Sequence, residues 1–197
     1  MRSMPKSLVL LAALGCVVAL PVAAQVRWKT LSLAGRSDFT VDIPAVSTRL
    51  PASSDDELMN FYVTNEAQGG DKLECILMRR RYASEATHRA LLDTFAAGKS
   101  TFCDAQGAAG DWSLLESKTL KSNGLPAARC RSSYTDEKSH GVVQSMLVVA
   151  GSRSAYFMQC LFVNDTDKAS AEHHYDQVGK QIVTRVQTSL HLPPSAK

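Results

Sequence analysis

Four strand-like runs that follow one another closely constrain the fold of this chain most strongly. Each is about eight to ten residues long, and they read WSLLESKTL, PAARCRSSYT, GVVQSMLVVA and SAYFMQCLFV. The first two flank Asn123-Gly124, a strong hairpin signal because both central positions of a type I′ turn need positive φ. A charged turn, DEKSH, and a short turn, GSR, join the others. The sequence therefore predicts a meander of antiparallel strands.

Three further strands are predicted before this meander. In FTVDIP the apolar residues Phe39, Val41 and Ile43 alternate with polar ones, which is typical of a half-buried strand, and Pro44 ends it. The runs LMNFYVT and KLECILMRRRY flank NEAQGGD, whose Gly69-Gly70 pair indicates a hairpin turn. The small and polar stretch AVSTRLPASSDDE predicts a surface loop between FTVDIP and this hairpin.

Two segments have the apolar period of an amphipathic helix. The first is predicted over residues 85–102, with Ser84 as its N-cap, Gly98 as its weak point and one apolar side formed by Leu91, Leu92, Phe95 and Phe102. The second is predicted within DKASAEHHYDQVGKQIVTRVQTSLHL, and Pro193 and Pro194 stop it. Its predicted sheet-facing side consists of Tyr175, Val178, Ile182, Val186 and Leu190.

The order of these elements predicts an α+β fold. A strand and a hairpin are followed by a helix, a four-stranded meander and a last helix. Hairpins outnumber crossover connections, so we expect an antiparallel sheet of about six or seven strands. The internal helix and the C-terminal helix would pack on this sheet.

The first 24 residues have the features of a secretory signal. Arg2 and Lys6 precede a thirteen-residue apolar core, and small residues lead to a predicted cleavage site after Ala24. The core is shorter than the roughly 20 residues that span a bilayer. We therefore predict a signal peptide over residues 1–24 and a single domain over residues 25–197, located in the periplasm or secreted. Whether Cys16, within ALGC, is a lipidation site stays open.

Composition narrows the classes of partner. Residues 1–24 hold two of the 22 Lys and Arg and none of the 19 Asp and Glu, which leaves a mature net charge of +1. Nucleic-acid binding needs a strongly basic surface, so this class is not expected. A second long apolar run is absent from the sequence, so we expect no stable membrane insertion after signal cleavage.

Four cysteines follow the predicted signal, and their even number in an exported chain predicts two disulfides. They are Cys75, Cys103, Cys130 and Cys160. In a plain meander Cys130 would lie opposite Met146, which in turn would face about Met158. Cys130 and Cys160 would then be two strands apart, at about 9.5 Å, which is too far for a disulfide. This disfavours the Cys130–Cys160 pairing, and with it Cys75–Cys103, and leaves the other two pairings open.

The order of elements resembles a known fold. Trp28, then FTVDIP, a hairpin, a helix, a meander and a long last helix are similar to the PsbP-like fold over about residues 26–192. This group includes PsbP, a Ran-binding nuclear import factor and DcrB-like bacterial envelope proteins, which are related to chaperones of type VI secretion effectors. The resemblance implies a binding or assembly factor rather than an enzyme.

The sequence contains no strong catalytic motif, and we predict no catalytic residue. A G-x-S-x-G nucleophile elbow is absent. Cys103 would follow a helix C-terminus, whose negative partial charge disfavours a thiolate, and His88 would lie about four turns away. The carboxylates Asp55, Asp56 and Glu57 lie in a predicted loop, where nothing fixes the separation that acid–base catalysis needs.

The only weak metal candidates are His173 and His174, within EHHYD. Glu172 and Asp176 would share one helix face, but the two histidines would point about 100° apart and would not both join them. A solvated helix start is the alternative interpretation. We therefore predict no metal site and no cofactor.

Arginines form the strongest candidate for a partner surface. Arg79, Arg80 and Arg81 end a predicted strand, with Arg80 on the opposite face to the other two, and Arg129 and Arg131 flank Cys130. Arginine suits carboxylate and phosphate recognition, so a basic stripe on the sheet would fit an anionic partner. A strand end that simply extends into solvent is the alternative.

The leading hypothesis is an exported, non-catalytic protein that binds another envelope or secreted protein as a chaperone, inhibitor, immunity or assembly factor. Its contact surface would be one sheet face or the loops around Asp55 and Arg79–Arg81. Two alternatives remain. One is a periplasmic small-ligand or metal-binding protein that uses a cleft between the sheet and the last helix. The other is an envelope hydrolase of unrecognised type.

Overall fold

The chain folds as an α+β protein, as the sequence predicts. The computed structural model describes residues 26–33, 36–51, 54, 56–65, 71–98 and 111–192. The predicted signal over residues 1–24, the Gly69-Gly70 turn, Asp55, Phe102 and Cys103 lie outside the described residues. Within the described residues there are a seven-stranded antiparallel sheet, a two-stranded sheet, an internal helix and a C-terminal helical segment.

The described elements follow one another in this order. The strands are β1 (Trp28–Leu33), β2 (Arg36–Pro44), β3 (Thr48–Leu50), β4 (Glu57–Asn65), β5 (Asp71–Arg81), β6 (Ser113–Ser122), β7 (Leu125–Thr135), β8 (Gly141–Ala150) and β9 (Ser154–Asn164). The helices are α1 (Glu85–Ala96), between β5 and β6, then α2 (Lys168–His174) and α3 (Lys180–Thr188) after β9. A π-helical turn, Tyr175–Gly179, joins α2 to α3. No helix among the described residues has the length and apolar character needed to cross a membrane.

The predicted meander is present as β6 to β9. The strand order of the large sheet is β3-β4-β5-β9-β8-β7-β6, so the early hairpin β4–β5 joins the meander through its last strand. Asn123 and Gly124 have φ of 53° and 79°, which is the positive-φ pair that a type I′ hairpin turn requires. Each strand of the meander pairs with the next, because its turns are too short for a crossover.

The main core lies on one face of the large sheet, which we call the inner face. Apolar residues of β5, β8 and β9 on this face are fully buried, among them Leu77, Val143 and Met158. They pack against α3 and against the inward side of β2. Phe39, Val41 and Ile43 are at most 2% exposed, which confirms the alternation predicted for FTVDIP.

The N-terminal region contains two strands that the sequence analysis did not predict. β1 pairs with β2 as a separate two-stranded sheet, and Thr48–Leu50 pairs with β4 inside the stretch predicted as a loop. Contacts from distant parts of the chain stabilise this region. The Arg185 guanidinium stacks over the Trp28 ring at 4.4 Å and contacts Asp42 Oδ2 at 3.2 Å, so it fastens the β1–β2 hairpin to α3.

Helix α1 covers the opposite, outer face of the sheet. The Ser84 hydroxyl accepts the Thr87 N–H at 3.3 Å and caps the helix as predicted. The helix ends at Ala96 and not at residue 102, because Gly98 takes a left-handed φ of 66°. Phe95 packs on the outer face in a small cluster with Ala128, Val148 and Ala150.

The last helical segment departs from the predicted apolar side. Val178 and Ile182 are only half buried, whereas Gly179 and Val183 face the sheet. The buried positions recur every fourth residue, at Ala171, Tyr175, Gly179 and Val183. In a regular α-helix, residues four apart differ in direction by about 40° around the helix axis. The extra residue of the π-helical turn removes this difference, so all four residues face the sheet. The prediction was therefore wrong for Val178, whereas Ile182 is half buried but packs against the main core.

Cys75 and Cys160 form a disulfide bond across two neighbouring central strands. They face each other directly on β5 and β9, with their Cα atoms 4.1 Å apart, and both are buried on the inner face. Cys130, on the outer face of β7, is also disulfide-bonded, to a partner outside the described residues. It lies opposite Met146, as predicted, and β8 separates it from Cys160. Cys75–Cys160 is one of the pairings that the sequence left open.

Candidate binding surfaces

Four arginines meet at one end of the large sheet, which we call the arginine end. Arg79, Arg80 and Arg81 are the last residues of β5, and the β8–β9 turn beside them carries Arg153. The pairing of β5 with β9 produces this meeting, because Arg81 lies opposite Ser154, the residue that follows Arg153. The strand alternation directs Arg80 to the outer face and Arg79 and Arg81 to the inner face, as predicted.

The positive charge at the arginine end is not neutralised by the described part of the chain. Arg80, Arg81 and Arg153 are exposed, and none of them makes an ion pair with a described acidic residue. Nearby Arg89 differs, because it pairs with Glu85 at 3.3 Å. Three guanidinium groups are therefore free to bind an anionic group from outside.

Arg79 occupies a more enclosed position at this end. Its backbone N–H donates to the Asp56 carbonyl at 2.8 Å, which fixes the strand end. Its side-chain Nε is buried and has no hydrogen-bond partner among the described residues. A buried donor without a partner is costly, but because this atom is not accessible from outside it adds no donor to the exposed surface.

Aromatic rings support the arginine end. The Arg80 guanidinium lies 5.8 Å from the centroid of Phe157, and the ring of Tyr82 stacks on His88 at 4.6 Å. The Tyr82 N–H donates to the Arg153 carbonyl at 3.1 Å, which ties the β8–β9 turn to the end of β5. Burial, with a smaller contribution from the neighbouring Tyr156, raises the pKa of Tyr82 to about 12. The Tyr82 hydroxyl therefore stays protonated at neutral pH.

Arg129 and Arg131 do not join this surface. They lie on the inner face of β7, and β8 and β9 separate them from β5. Three strand spacings correspond to about 14 Å between β5 and β7. Arg129 contacts Glu116 at 3.1 Å and Arg131 contacts Asp176 at 3.4 Å. The predicted basic stripe is thus divided between the arginine end and a second, internally paired site.

The second site is a cleft between the inner face and the C-terminal helical segment, which we call the helix–sheet cleft. Its cavity volume is about 20 Å³, which is room for about one water molecule. The sheet contributes Glu116, Arg129, Arg131 and Ser145 to its lining. The helical segment contributes Tyr175, Lys180 and Gln187 among others. Small-molecule pockets typically measure about 300–1,000 Å³, so this cleft is far smaller than such a pocket.

Charge pairs hold the walls of the helix–sheet cleft in place. Glu116 contacts both Lys118 at 2.8 Å and Arg129 at 3.1 Å. The hydrogen bond from Lys118, supported by Arg129, lowers the pKa of Glu116 to about 2, so this carboxylate is ionised at any physiological pH. On the helix side, the Arg131 guanidinium lies 5.4 Å from the centroid of the Tyr175 ring. Burial raises the pKa of Tyr175, although Arg131 opposes this shift.

The structure gives the two candidate metal-binding histidines different partners. His174 Nδ1 lies 3.2 Å from the buried Asp71 carboxylate, which also accepts the Asn164 amide at 2.7 Å. His173 Nε2 is 2.9 Å from the side chain of Gln177. Among the described residues, no group of three or more metal-ligating side chains comes together. The neighbouring carboxylates Glu172 and Asp176 bind Ser133 and the cations of the helix–sheet cleft.

The residues weighed as catalytic candidates lie apart from one another. His88 stacks on Tyr82 at the arginine end, while Cys103 and Asp55 lie outside the described residues. The Asp56 carbonyl binds the Arg79 N–H, and Glu57 is a buried residue of β4. This arrangement gives no nucleophile and base within reach of each other in the described part of the chain.

Sequence reasoning missed Arg153 and Gln187. Arg153 was visible in the GSR turn, but its place beside Arg81 depends on the pairing of β5 with β9, which are far apart in sequence. Gln187 is 3% exposed and lies on the sheet-facing side of α3. A polar residue at an apolar position of a helix is the signal that indicates such a buried group.

Comparisons with known proteins identify the fold. No family model matches the chain, and no curated protein matches it. The Saccharomyces cerevisiae Ran-binding protein Mog1p is 11% identical, with a TM-score of 0.53 over 87% of this chain and 98% of its own. LpqN of Mycobacterium tuberculosis, involved in cell envelope biogenesis, is 11% identical, with a TM-score of 0.52 over 86% of this chain and 92% of its own.

The likenesses to Mog1p and LpqN, both with a TM-score above 0.5, define the class of fold. A cyanobacterial PsbP from Synechocystis aligns over 90% of this chain and 99% of its own, at 12% identity and a TM-score of 0.45. The chain has the PsbP-like fold that the order of its elements predicts. At 11% identity, the two stronger likenesses concern the fold alone.

Proposed function

We propose that the protein is an exported, non-catalytic binding factor of the cell envelope, and that its arginine end contacts an acidic surface on a partner protein. The observation that carries this proposal is the group of three exposed guanidinium groups without a described acidic partner. Strand pairing fixes the backbone positions of Arg80 and Arg81, and the adjoining β8–β9 turn carries Arg153, so the backbone that bears them is ordered before the partner arrives. Mog1p is a Ran-binding protein and LpqN is involved in envelope biogenesis, which agrees with a binding role on this fold.

The chemistry of arginine favours a carboxylate-bearing partner. A guanidinium group binds a carboxylate through two parallel hydrogen bonds, and it keeps its charge at every physiological pH. A single exposed ion pair contributes only about 0.2–1 kcal/mol, so three together give modest affinity but strong orientation and fast association. We therefore expect an interaction that weakens as the salt concentration rises.

Export is the second part of the proposal. It is supported by the charged start, apolar core and small-residue cleavage site within residues 1–24, and by the buried Cys75–Cys160 disulfide, which is typical of oxidising compartments. Residues 25–197 would then form the working domain. Amino-terminal sequencing of the protein from its native host should give Gln25 first, and a mature chain that begins at Met1 would overturn this part.

A charge-reversal experiment tests the contact surface. Arg80→Glu and Arg81→Glu are combined in one protein, and Lys72→Glu and Lys121→Glu in a matched control. Both control lysines are exposed on strands, Lys72 at the far end of the same strand β5, and both double variants change the net charge equally. Each protein is crosslinked in the envelope fraction of the native host, and its partners are quantified by mass spectrometry.

We expect a partner that wild type and the control capture equally and that the arginine variant loses. High salt during crosslinking should reduce its capture by wild type. If both double variants captured an identical set of partners, the arginine end would not be the contact surface. Binding of wild type to anionic lipid vesicles, with no protein partner, would replace the proposed partner class by a membrane surface.

A further inference from the structure

Two exposed valines meet where the start of β1 lies beside the turn between β2 and β3. Val46, in this turn, is 77% exposed, and Val26 is 38% exposed. The Ala45 N–H donates to the Arg27 carbonyl at 2.7 Å, which brings the residues before β1 against the turn. Apart from two leucines on β6, these valines are the only large apolar side chains exposed to this degree among the described residues. They form a small apolar tip on the molecule.

Basic side chains accompany this tip. Arg27 precedes β1, Lys29 is the second residue of β1, and Arg49 follows the turn in β3; all three are exposed. The Lys29 ammonium donates to the backbone carbonyls on both sides of Val46, at 3.1 and 3.2 Å. None of the three cations makes an ion pair with a described acidic residue. We call this group the Val46 patch: Val26, Arg27, Lys29, Val46 and Arg49.

The acidic residues of the same segment do not neutralise the patch. Residues 26–50 contain two of them, Asp38 and Asp42. The Asp42 carboxylate binds Arg185 at 3.2 Å and the Thr30 hydroxyl at 2.7 Å. Asp38 lies six residues before Pro44 on β2, which corresponds to about 20 Å along the strand. The patch therefore complements a negatively charged surface.

The Val46 patch and the arginine end lie toward opposite ends of the large sheet. Strand β3 begins at Thr48, which lies opposite Tyr62 of β4, and Tyr62 lies opposite Glu74 of β5. Arg81 is seven residues further along β5, which corresponds to about 23 Å. A ligand at one surface therefore does not block the other.

The chain that precedes the patch favours a lipid bilayer as its occupant. The apolar core of the predicted signal ends at Leu20, six residues before Val26. Six residues span at most about 20 Å, so the patch stays within this distance of any bilayer that holds the apolar core. Exposed cations beside apolar side chains are typical of surfaces that bind anionic lipids, because the headgroups attract the cations and the apolar side chains enter the headgroup boundary.

We propose that the Val46 patch docks the protein on the surface of an anionic lipid bilayer. Val26 and Val46 would lie at the headgroup boundary, and the three cations would lie against lipid phosphates. Only side chains make this contact, and no segment of the chain spans the bilayer. Each basic residue near an anionic bilayer strengthens binding about fivefold, so the contact is weak and reversible, comparable with that of a single acyl chain. The proposal does not rest on the function proposed for the arginine end.

Flotation with lipid vesicles tests the proposal. The protein is purified from the envelope fraction of its native host and mixed with vesicles of equimolar phosphatidylglycerol and phosphatidylcholine, or of phosphatidylcholine alone. Wild type should float with the anionic vesicles and not with the neutral ones, and high salt should weaken its binding. The bound fraction at increasing lipid concentration gives the affinity.

A pair of charge reversals locates the contact. Arg27→Glu and Arg49→Glu are combined in one protein, and neither side chain makes a hydrogen bond or ion pair with a described residue, so the fold should persist. This variant should bind anionic vesicles at least about 25-fold more weakly, about fivefold for each arginine. Arg80→Glu/Arg81→Glu changes the net charge equally at the arginine end and should stay close to wild type.

Substitution of the exposed valine tests the apolar part of the contact. Val46→Ser leaves every charge in place and should weaken binding to anionic vesicles by about threefold or more, since the apolar side chain no longer leaves water for the bilayer. Leu114→Ser removes an exposed apolar side chain from β6 and should behave as wild type.

Several results would overturn the proposal. If wild type does not float with anionic vesicles, the patch does not bind a bilayer, and this result needs no variant. Equal losses in both double variants would assign the binding to net charge, and a loss only in Arg80→Glu/Arg81→Glu would assign it to the arginine end. If Arg27→Glu/Arg49→Glu instead lost a crosslinked protein partner and kept its vesicle binding, the occupant would be a protein. An unchanged affinity of Val46→Ser would exclude the apolar contact.

Discussion

Removal of the Cys75–Cys160 disulfide tests how the chain holds its central strands together. The double variant Cys75→Ala/Cys160→Ala eliminates the bond between β5 and β9 while keeping both positions apolar. The two cysteines are separated by 85 residues in sequence. In the chain-entropy relation, a crosslink over this sequence separation lowers the entropy of the unfolded chain, which stabilises the folded state by about 4.6 kcal/mol at room temperature. Small domains have a total stability of about 5–15 kcal/mol, so the loss should be large.

Unfolding in guanidinium chloride measures this loss. We expect the midpoint to fall strongly and the slope m to rise, because an unfolded chain without the crosslink exposes more surface. The single variant Cys160→Ala is the control for packing. It also lacks the disulfide bond. The difference in stability between the single and the double variant therefore reports only the loss of the second buried sulfur atom, that of Cys75.

The reasoning is refuted if the double variant loses less than about 1 kcal/mol and keeps the wild-type m. Such a result would mean that the denatured chain holds β5 and β9 together without the bond. A loss that appears in the double variant but not in the single one would assign the effect to packing instead of crosslinking.

Three further predictions follow from other contacts. The pKa of Glu116 is lowered from 4.5 to about 2, so its contribution to the free energy of unfolding is complete above pH 4.5 and lost as the pH falls toward 2. When unfolding is measured as a function of pH, Glu116→Gln should be less stable than wild type at neutral pH, and its free energy of unfolding should change less between pH 4.5 and 2. Gly179→Ala places a Cβ 2.9 Å from a ring atom of Phe162, so thermal unfolding should show that stability falls by about 1–3 kcal/mol, despite the better helix propensity of alanine. An unchanged melting temperature would contradict the tight packing at this position. Peptide mapping without reduction should recover Cys130 joined to Cys103, and a free Cys103 thiol would contradict this pairing.

Most of the sheet could be predicted because its signals are local. Alternation in FTVDIP and the positive-φ turn at Asn123-Gly124 each depend on a few adjacent residues, and both were confirmed. β3 was missed because its three residues form a strand only through backbone pairing with β4, which leaves no apolar period. The π-helical turn was missed because it depends on tertiary packing. Gly179 lies against the Phe162 ring, and the spacing of apolar residues along the helix does not indicate that contact.

The candidate sites were less predictable than the fold. The run Arg79–Arg81 is visible in the sequence, but its neighbour Arg153 and the internal pairing of Arg129 depend on strand order across the sheet. Gln187 Oε1 is buried without a hydrogen-bond partner among the described residues only because of its surroundings, since the same residue on the solvent side of the helix would be an ordinary surface amide.

The strand order has a consequence for biosynthesis. β9, the last strand to leave the ribosome, is the central strand of the finished sheet, with β5 on one side and β8 on the other. Before residues 154–164 emerge, the hairpin β4–β5 and the three strands β6–β8 lack their common neighbour and present open edges. The chain therefore cannot complete its sheet until synthesis is almost finished, and both partial sheets expose unpaired backbone groups until then.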